Sequence, residues 1–183
     1  MALTRVTNDG LDLSAKDESL NGVTVGRGAG DVATNTVVGN NALDANTTGS
    51  NNTAIGDETL TANTTGFQNV AVGSNSAPYS SGISNVGVGY IALIANTTGD
   101  QNTAVGARAL DANTTADNNT ACGYNSLSAN TTGTQNVGVG SLALDGNTTS
   151  SECTAVGYNA LSAGTAGSCT AIGSNALRDN TGA

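Results

Sequence analysis

A small or aliphatic side chain followed by glycine returns along the chain at nearly constant intervals. The glycines are Gly39, Gly56, Gly73, Gly89, Gly106, Gly123, Gly140, Gly157 and Gly173, spaced 17, 17, 16, 17, 17, 17, 17 and 16 residues apart. The consensus unit reads N-T-A-V-G-x-x-A-L-x-A-N-T-T-G-x-x, clearest in Asn102–Asn118 and Asn119–Gln135. Nine units run from Asn35 to Ala183, the last cut short. A fixed period with fixed apolar positions is the mark of a repeat architecture rather than of disorder. Seventeen residues are too few for two helices and a turn, and the unit lacks helix formers. The pattern predicts an all-β chain: a parallel β-solenoid, or β-roll, of about nine 17-residue coils, each with two short strands and two turns.

Within a unit, positions 1 to 4 read as a strand. Side chains alternate faces along a strand, so positions 2 and 4 share one face and position 3 points the other way. The larger apolar residues stand at position 4: Val38, Ile55, Val72, Val88, Val105, Cys122, Val139, Val156 and Ile172. They are assigned to the core. So is the ninth position, with Leu43, Leu60, Leu93, Leu110, Leu127, Leu144, Leu161 and Leu177. Position 3 is almost uniformly small: Ala54, Ala71, Gly87, Ala104, Ala121, Gly138, Ala155 and Ala171. That face reads as an oligomer interface, with a tight turn of the same chain as the alternative. The glycine at position 5 turns the chain through a positive φ, and Asn-Thr-Thr-Gly supplies a second corner. Asn35, Asn52, Asn69, Asn85, Asn102, Asn119 and Asn136 share position 1 and predict an amide ladder from coil to coil. The third unit (Asn69–Ser84) carries Pro78, Tyr79 and a shortened corner, which predicts a local bulge or kink there.

Composition narrows the chemistry. Of 183 residues, 76 are Gly, Asn or Thr, only 10% are charged, and His is absent. Without His there is no Ser-His-Asp or Cys-His catalysis and no His metal site. We therefore expect no enzyme, no catalytic or metal-ligating residue and no cofactor. Five Lys and Arg against fourteen Asp and Glu give a net charge of −9, which argues against nucleic acid as a partner. No apolar run is long enough to span a membrane, and Met1 to Leu13 contains no apolar signal-peptide core. Three segments follow: an N-terminal arm or attachment segment over 1–21, where Leu11 and Leu13 suit a short strand; an irregular capping coil over 22–34, in which Val23-Thr-Val-Gly26 mimics positions 2 to 5; and the solenoid over 35–183.

Few residues invite a site. Tyr90, Tyr124 and Tyr158 follow the turn glycine in alternate units and predict an exposed aromatic row, a candidate for glycan or surface contact. Cys153 and Cys169 take position 1 in successive coils, close enough for a disulfide, although two free thiols replacing two ladder Asn is the preferred reading. Cys122, in place of a core Val, reads as a buried thiol. The scattered carboxylates, such as Asp44, Asp111 and Asp145, form no Ca²⁺ loop. Thr pairs in the Asn-Thr-Thr corners, from Thr47 and Thr48 to Thr148 and Thr149, offer a weaker case for ice binding.

The N-T-A-x-G-x-x-A-L-x-x-N-T-T-G array, with Gly22-Val-Thr-Val-Gly26-Arg-Gly-Ala-Gly30 ahead of it, resembles repeats in tail-fibre proteins of tailed bacteriophages over residues 22–183. More distantly, N-T-A-V-G-x-x-A-L is similar to the shorter head repeats of trimeric autotransporter adhesins. The resemblance implies a left-handed parallel β-roll that forms homotrimers. It implies a structural and adhesive function in the virion: a rod segment of a tail fibre that spaces or presents receptor binding. Implied partners are further copies of the chain, other tail proteins, and a bacterial surface glycan or protein receptor. The alternative is an extracellular or cell-surface adhesin or filament subunit stacked end to end.

Overall fold

The computed structural model describes residues 18–20, 23–163 and 167–179. The strand expected around Leu11 and Leu13 lies outside them. Among the described residues, eleven short strands form one sheet in chain order: β1 (Glu18–Leu20), β2 (Val23–Gly26), β3 (Thr36–Val38), β4 (Thr53–Ile55), β5 (Val70–Val72), β6 (Val86–Val88), β7 (Thr103–Val105), β8 (Thr120–Cys122), β9 (Val137–Val139), β10 (Thr154–Val156) and β11 (Thr170–Ile172). From β3 to β11 every neighbour is parallel and pairs like position with like, as in Ala104 with Ala121 and Ala121 with Gly138. The chain is therefore a parallel β-solenoid, with about eight turns wound between its nine parallel strands, and no helix occurs among the described residues.

The first two strands depart from the expected coil. β2 runs antiparallel to β3, pairing Val25 with Val38, and β1 runs antiparallel to β2. Residues 23–26 mimic positions 2 to 5 in sequence but enter the sheet in the opposite direction. They cover the free edge of β3, which would otherwise present unpaired backbone groups.

Each coil contains one strand, not two. The second side (positions 6 to 11) is a run of turns in which positions 7 and 9 adopt positive φ throughout. Asn125 and Leu127 have φ of 52°, and Arg108 and Leu110 have 61° and 50°. This alternation still sends backbone groups to both neighbouring coils: the Arg108 N–H donates back to Tyr90 O at 3.0 Å, and the Leu110 N–H donates onward to Ser126 O at 3.1 Å. It also breaks the in-out alternation of a strand, so positions 8 and 9 both point inward. Ala109 and Leu110 are fully buried side by side.

The interior reverses the assignment of the strand faces. Val37, Ala54, Ala71, Ala104, Ala121, Ala155 and Ala171 are buried in the chain's own core, as is Gly87 and Gly138 at the same position. They are not an exposed oligomer face. Val38, Ile55, Val72, Val88, Val105, Cys122, Val139, Val156 and Ile172 point outward and are half-buried or exposed, so they are not core residues of the single chain. The physical reason is the thinness of the coil. A Cβ added at Gly138 would stand 3.4 Å from Leu127 Cγ, so the strand backbone lies directly against the Leu column. Only Ala or Gly fits between them, Val37 in the first coil excepted. The core is thus an Ala file against an Ala-Leu file, with Leu43, Leu60, Leu93, Leu110, Leu127, Leu144 and Leu161 fully buried and Ala77 substituting in the third coil. Leu177, in the last described coil, is 49% exposed.

The turn glycines answer to the same closeness. They adopt φ between 118° and 149°, and a Cβ on Gly56 would stand 2.8 Å from the carbonyl oxygen of Gly73 in the next coil. No larger residue tolerates both conditions. The third unit keeps its strand register, with β5 pairing evenly to β4 and β6. Its departure lies in the corner, where one residue is missing.

Two predictions follow from this packing. Wherever position 8 is Ser, position 3 of the next coil is Gly: Ser76 with Gly87, and Ser126 with Gly138. Each hydroxyl donates to that glycine's carbonyl oxygen at 2.9 Å and occupies the space a Cβ would need, 2.6 Å from Oγ. Gly138→Ala should therefore destabilise the chain by about 1–2 kcal/mol by displacing a buried hydroxyl from its acceptors. In a Ser126→Ala background the same change should be neutral or stabilising, and urea melts of the four-member cycle would read the coupling. Additive costs would show that the pair does not interact. Ile91 has φ of 51°, where a β-branched side chain is strained, while most coils place Asn there. Ile91→Asn should raise stability by about 1 kcal/mol. A lower melting temperature would mean that the packing of Ile91 outweighs the backbone strain.

Candidate functional site

Inside the coil stand two columns of buried Asn, one from Asn35 to Asn136 and one from Asn46 to Asn147. At position 1, each side chain works on backbone. Asn102 Nδ2 donates to Ala116 O at 2.7 Å, closing its own coil, while its Oδ1 accepts the Asn119 N–H at 3.0 Å. The unit repeats from Asn35 to Asn136 and ends at Cys153, whose N–H donates to Asn136 Oδ1 at 2.9 Å. Cys153 is buried and Cys169 half-buried, and neither is in a disulfide. Cys122 is also free but exposed on the outer strand face, a correction to its reading as a buried thiol that follows from the reversed faces.

The second column stands at position 12, the Asn of the Asn-Thr-Thr corner, and here amide meets amide. Asn113 Nδ2 donates to Asn96 Oδ1 at 2.9 Å, and Asn130 Nδ2 to Asn113 Oδ1 at 3.2 Å. Each also donates to the carbonyl oxygen three residues on, as Asn113 does to Ala116 O at 3.1 Å. Sequence reasoning took this Asn for turn chemistry and missed the column. The available signal was its recurrence at one position in every full-length corner before Gly164. The shortened third unit interrupts it. Ser80 replaces Asn, Asn96 Nδ2 reaches Ser80 Oγ at 3.2 Å, and Asn63 Oδ1 is buried without a partner.

With the interior closed, the candidate sites are the outer faces. The strand face presents positions 2 and 4, a file of Thr or Val beside a file of Val, Ile or Cys122. Five members of the second file, Ile55, Val105, Val139, Val156 and Ile172, are among the exposed large apolar residues. Around the turn glycine stand Tyr90, Tyr124 and Tyr158, 59%, 53% and 55% exposed, with Ala107 and Ser141 between them. Stacking of the coils at about 4.8 Å puts successive Tyr about 10 Å apart. Of the two corner Thr rows, the first is not a free hydroxyl array. Thr97 and Thr131 Oγ1 each donate to a carbonyl of the next coil at 3.0 Å.

The carboxylates at position 10 do not act together. Asp111 pairs with Arg108 at 3.0 Å on the same coil. Burial pushes the Asp145 carboxyl above its ordinary value, against backbone N–H bonds from Asp145 and Gly146 that pull it down. Among the described residues, no cluster of three or more His, Cys, Asp or Glu is placed to hold a metal ion, and no helix is long and apolar enough to cross a membrane.

The amide column makes a sharp test. Asn113→Ala removes donors to Asn96 Oδ1 and Ala116 O and leaves Asn130 Nδ2 with Gly133 O as its remaining acceptor. It should cost about 2–4 kcal/mol, against less than about 0.5 kcal/mol for Thr115→Ala on the exposed corner beside it. Comparable losses in thermal melts of the two variants would remove the column as a source of stability. No protein-family model, curated protein or solved structure matches this chain.

Proposed function

We propose that this chain is a structural and adhesive fibre protein: a rigid rod segment of a bacteriophage tail fibre that spaces or presents receptor binding. In this reading it resides in the virion and assembles as a homotrimer of left-handed rolls joined to other tail proteins. The observation that supports it most is the unbroken parallel register from β3 to β11, in which like positions pair in every coil. Nine strands at about 4.8 Å make a shaft of about 38 Å, stiffened by two side-chain columns. Stacked coils of this kind resist bending because each contacts only its neighbours through a full ladder. The exposed Tyr row suits stacking on sugar rings, which would place a bacterial surface glycan along the shaft.

A second reading, an extracellular adhesin or filament subunit stacked end to end, draws on β11. Among the described residues it is the outermost strand of the sheet, with Ile172 73% exposed. A further coil would pair and cover it.

Light scattering at two concentrations, with negative-stain imaging of the same sample, separates the two. A constant mass of three chains with short rods is the expected result. A mass that grows with concentration, with long uniform filaments, would replace the first reading by the second. Tyr124→Ala with Tyr158→Ala should abolish retention on immobilised bacterial surface glycan without moving the melting temperature. Unchanged retention would remove the Tyr row from recognition.

A further inference from the structure

We infer that the outer strand face, positions 2 and 4 of β3 to β11, is the surface on which another copy of this chain lies, parallel and coil against coil. The inference rests on the self-assembling fibre reading and names the face that reading needs. Three observations carry it.

The first is exposure of the wrong residues. Large apolar side chains normally turn inward, yet here the small Ala file is inside while Ile55, Val105, Val139 and Val156 remain 36–38% exposed in one line. Val25 of β2, paired with Val38, is 40% exposed and extends it. Two files along about 38 Å make a strip of roughly 400 Å², apolar or thiol along position 4 and mixed Thr and Val along position 2, within the size range of the largest, often functional, patch on a single chain. The second is charge. The chain carries −9, and two copies repel at close range. None of the outward positions on β3 to β11 is charged, so this face is where copies approach with the least electrostatic cost. The third is period. The strip is a corrugation repeating at each coil, about every 4.8 Å. An unrelated surface lacks that repeat. A parallel copy has it in full, and sets Thr103 beside Thr103 and Val139 beside Val139 in every coil, as like side chains interdigitate between stacked sheets.

Cys122 lies on this face, so in that arrangement the Cys122 thiols of neighbouring copies stand at the same height. The test uses the chain with Cys153→Ser and Cys169→Ser, which leaves Cys122 as its single thiol. A short bis-maleimide is added at concentrations where light scattering gives more than one chain. Covalently joined chains are the expected product. Val105→Lys with Val139→Lys, two changes on the outer face, should bring the mass to one chain while the circular dichroism spectrum is kept.

A multi-chain mass that survives both lysines and yields no link at Cys122 overturns the inference and leaves the fibre reading standing. Loss of assembly in the lysine variant without any link at Cys122 overturns the parallel register. A single chain at every concentration overturns self-association on this face, and the fibre reading is then judged by rod formation with other tail proteins.

Discussion

Everything in this molecule depends on how little room the coil encloses. The strand backbone stands within side-chain contact of the opposite Leu column, so the inward strand position is held to Ala or Gly in all coils but the first. One Leu, or Ala77 in the third coil, and two or three small residues fill each layer. Burying a Leu is worth about 1.5–3 kcal/mol, while ordering each residue of the backbone costs about 1–2 kcal/mol. An isolated coil of 17 residues cannot close that gap. Stability has to come from what each coil does for the next, as in other quasi-one-dimensional proteins.

Stacking does so through polar groups. Every coil must hand its backbone donors and acceptors to two neighbours, and a buried group left over costs about 1–3 kcal/mol. The strand satisfies three positions. The positive-φ turns satisfy the far side without a second strand, and at the corners the two Asn columns add side-chain bonds to coil-to-coil backbone bonds such as Thr97 N–H to Thr114 O. The position-1 column ties each strand start to the carbonyl closing its own coil and to the next strand. The position-12 column runs amide to amide. The glycines belong to the same requirement, because at the turns one coil's carbonyl occupies the space of its neighbour's missing Cβ. The high Asn and Gly content that makes the sequence look disordered is the content that such a narrow, fully bonded stack demands.

The period, the solenoid architecture and the parity of the strand positions were all legible in the sequence, because each is a matter of spacing. Which parity faces inward was not. Hydrophobicity ranks Val above Ala and put Val105 inside and Ala104 outside; the structure does the opposite. The deciding quantity was the distance to the opposite wall, which no single strand reveals. A joint pattern did carry it: Gly at position 3 after Ser at position 8, seen in Ser76 with Gly87 and Ser126 with Gly138, is intelligible only if those positions touch. The second strand was over-read for a related reason. The A-L pair suggests alternation, but Leu adopts a left-handed backbone conformation there, which is uncommon for a bulky side chain and has no residue-type signal. The direction of β2 was likewise hidden, since Val-Thr-Val-Gly reads the same in a parallel or an antiparallel neighbour.

The inversion of the faces changes what the surface is for. Had the Val file been the core, the chain would have shown a smooth Ala-Gly flank, suited to close backbone approach. Instead the interior takes the small residues, and the larger apolar residues are displaced to a flat, uncharged, regularly ridged exterior. A sequence under no constraint beyond folding could place Ser, Lys or Glu at those outward positions, because solvated strand faces tolerate them and edges favour them. On β3 to β11 it places Thr, Val, Ile and one Cys. The interior does not require this choice, since the outward side chains do not fill it. What it supplies is a surface matched to its own period. The geometry that makes a single coil too thin to stand alone thus gives the stack an outer face that repeats with every coil, which is the feature the inferred packing of a second copy would use.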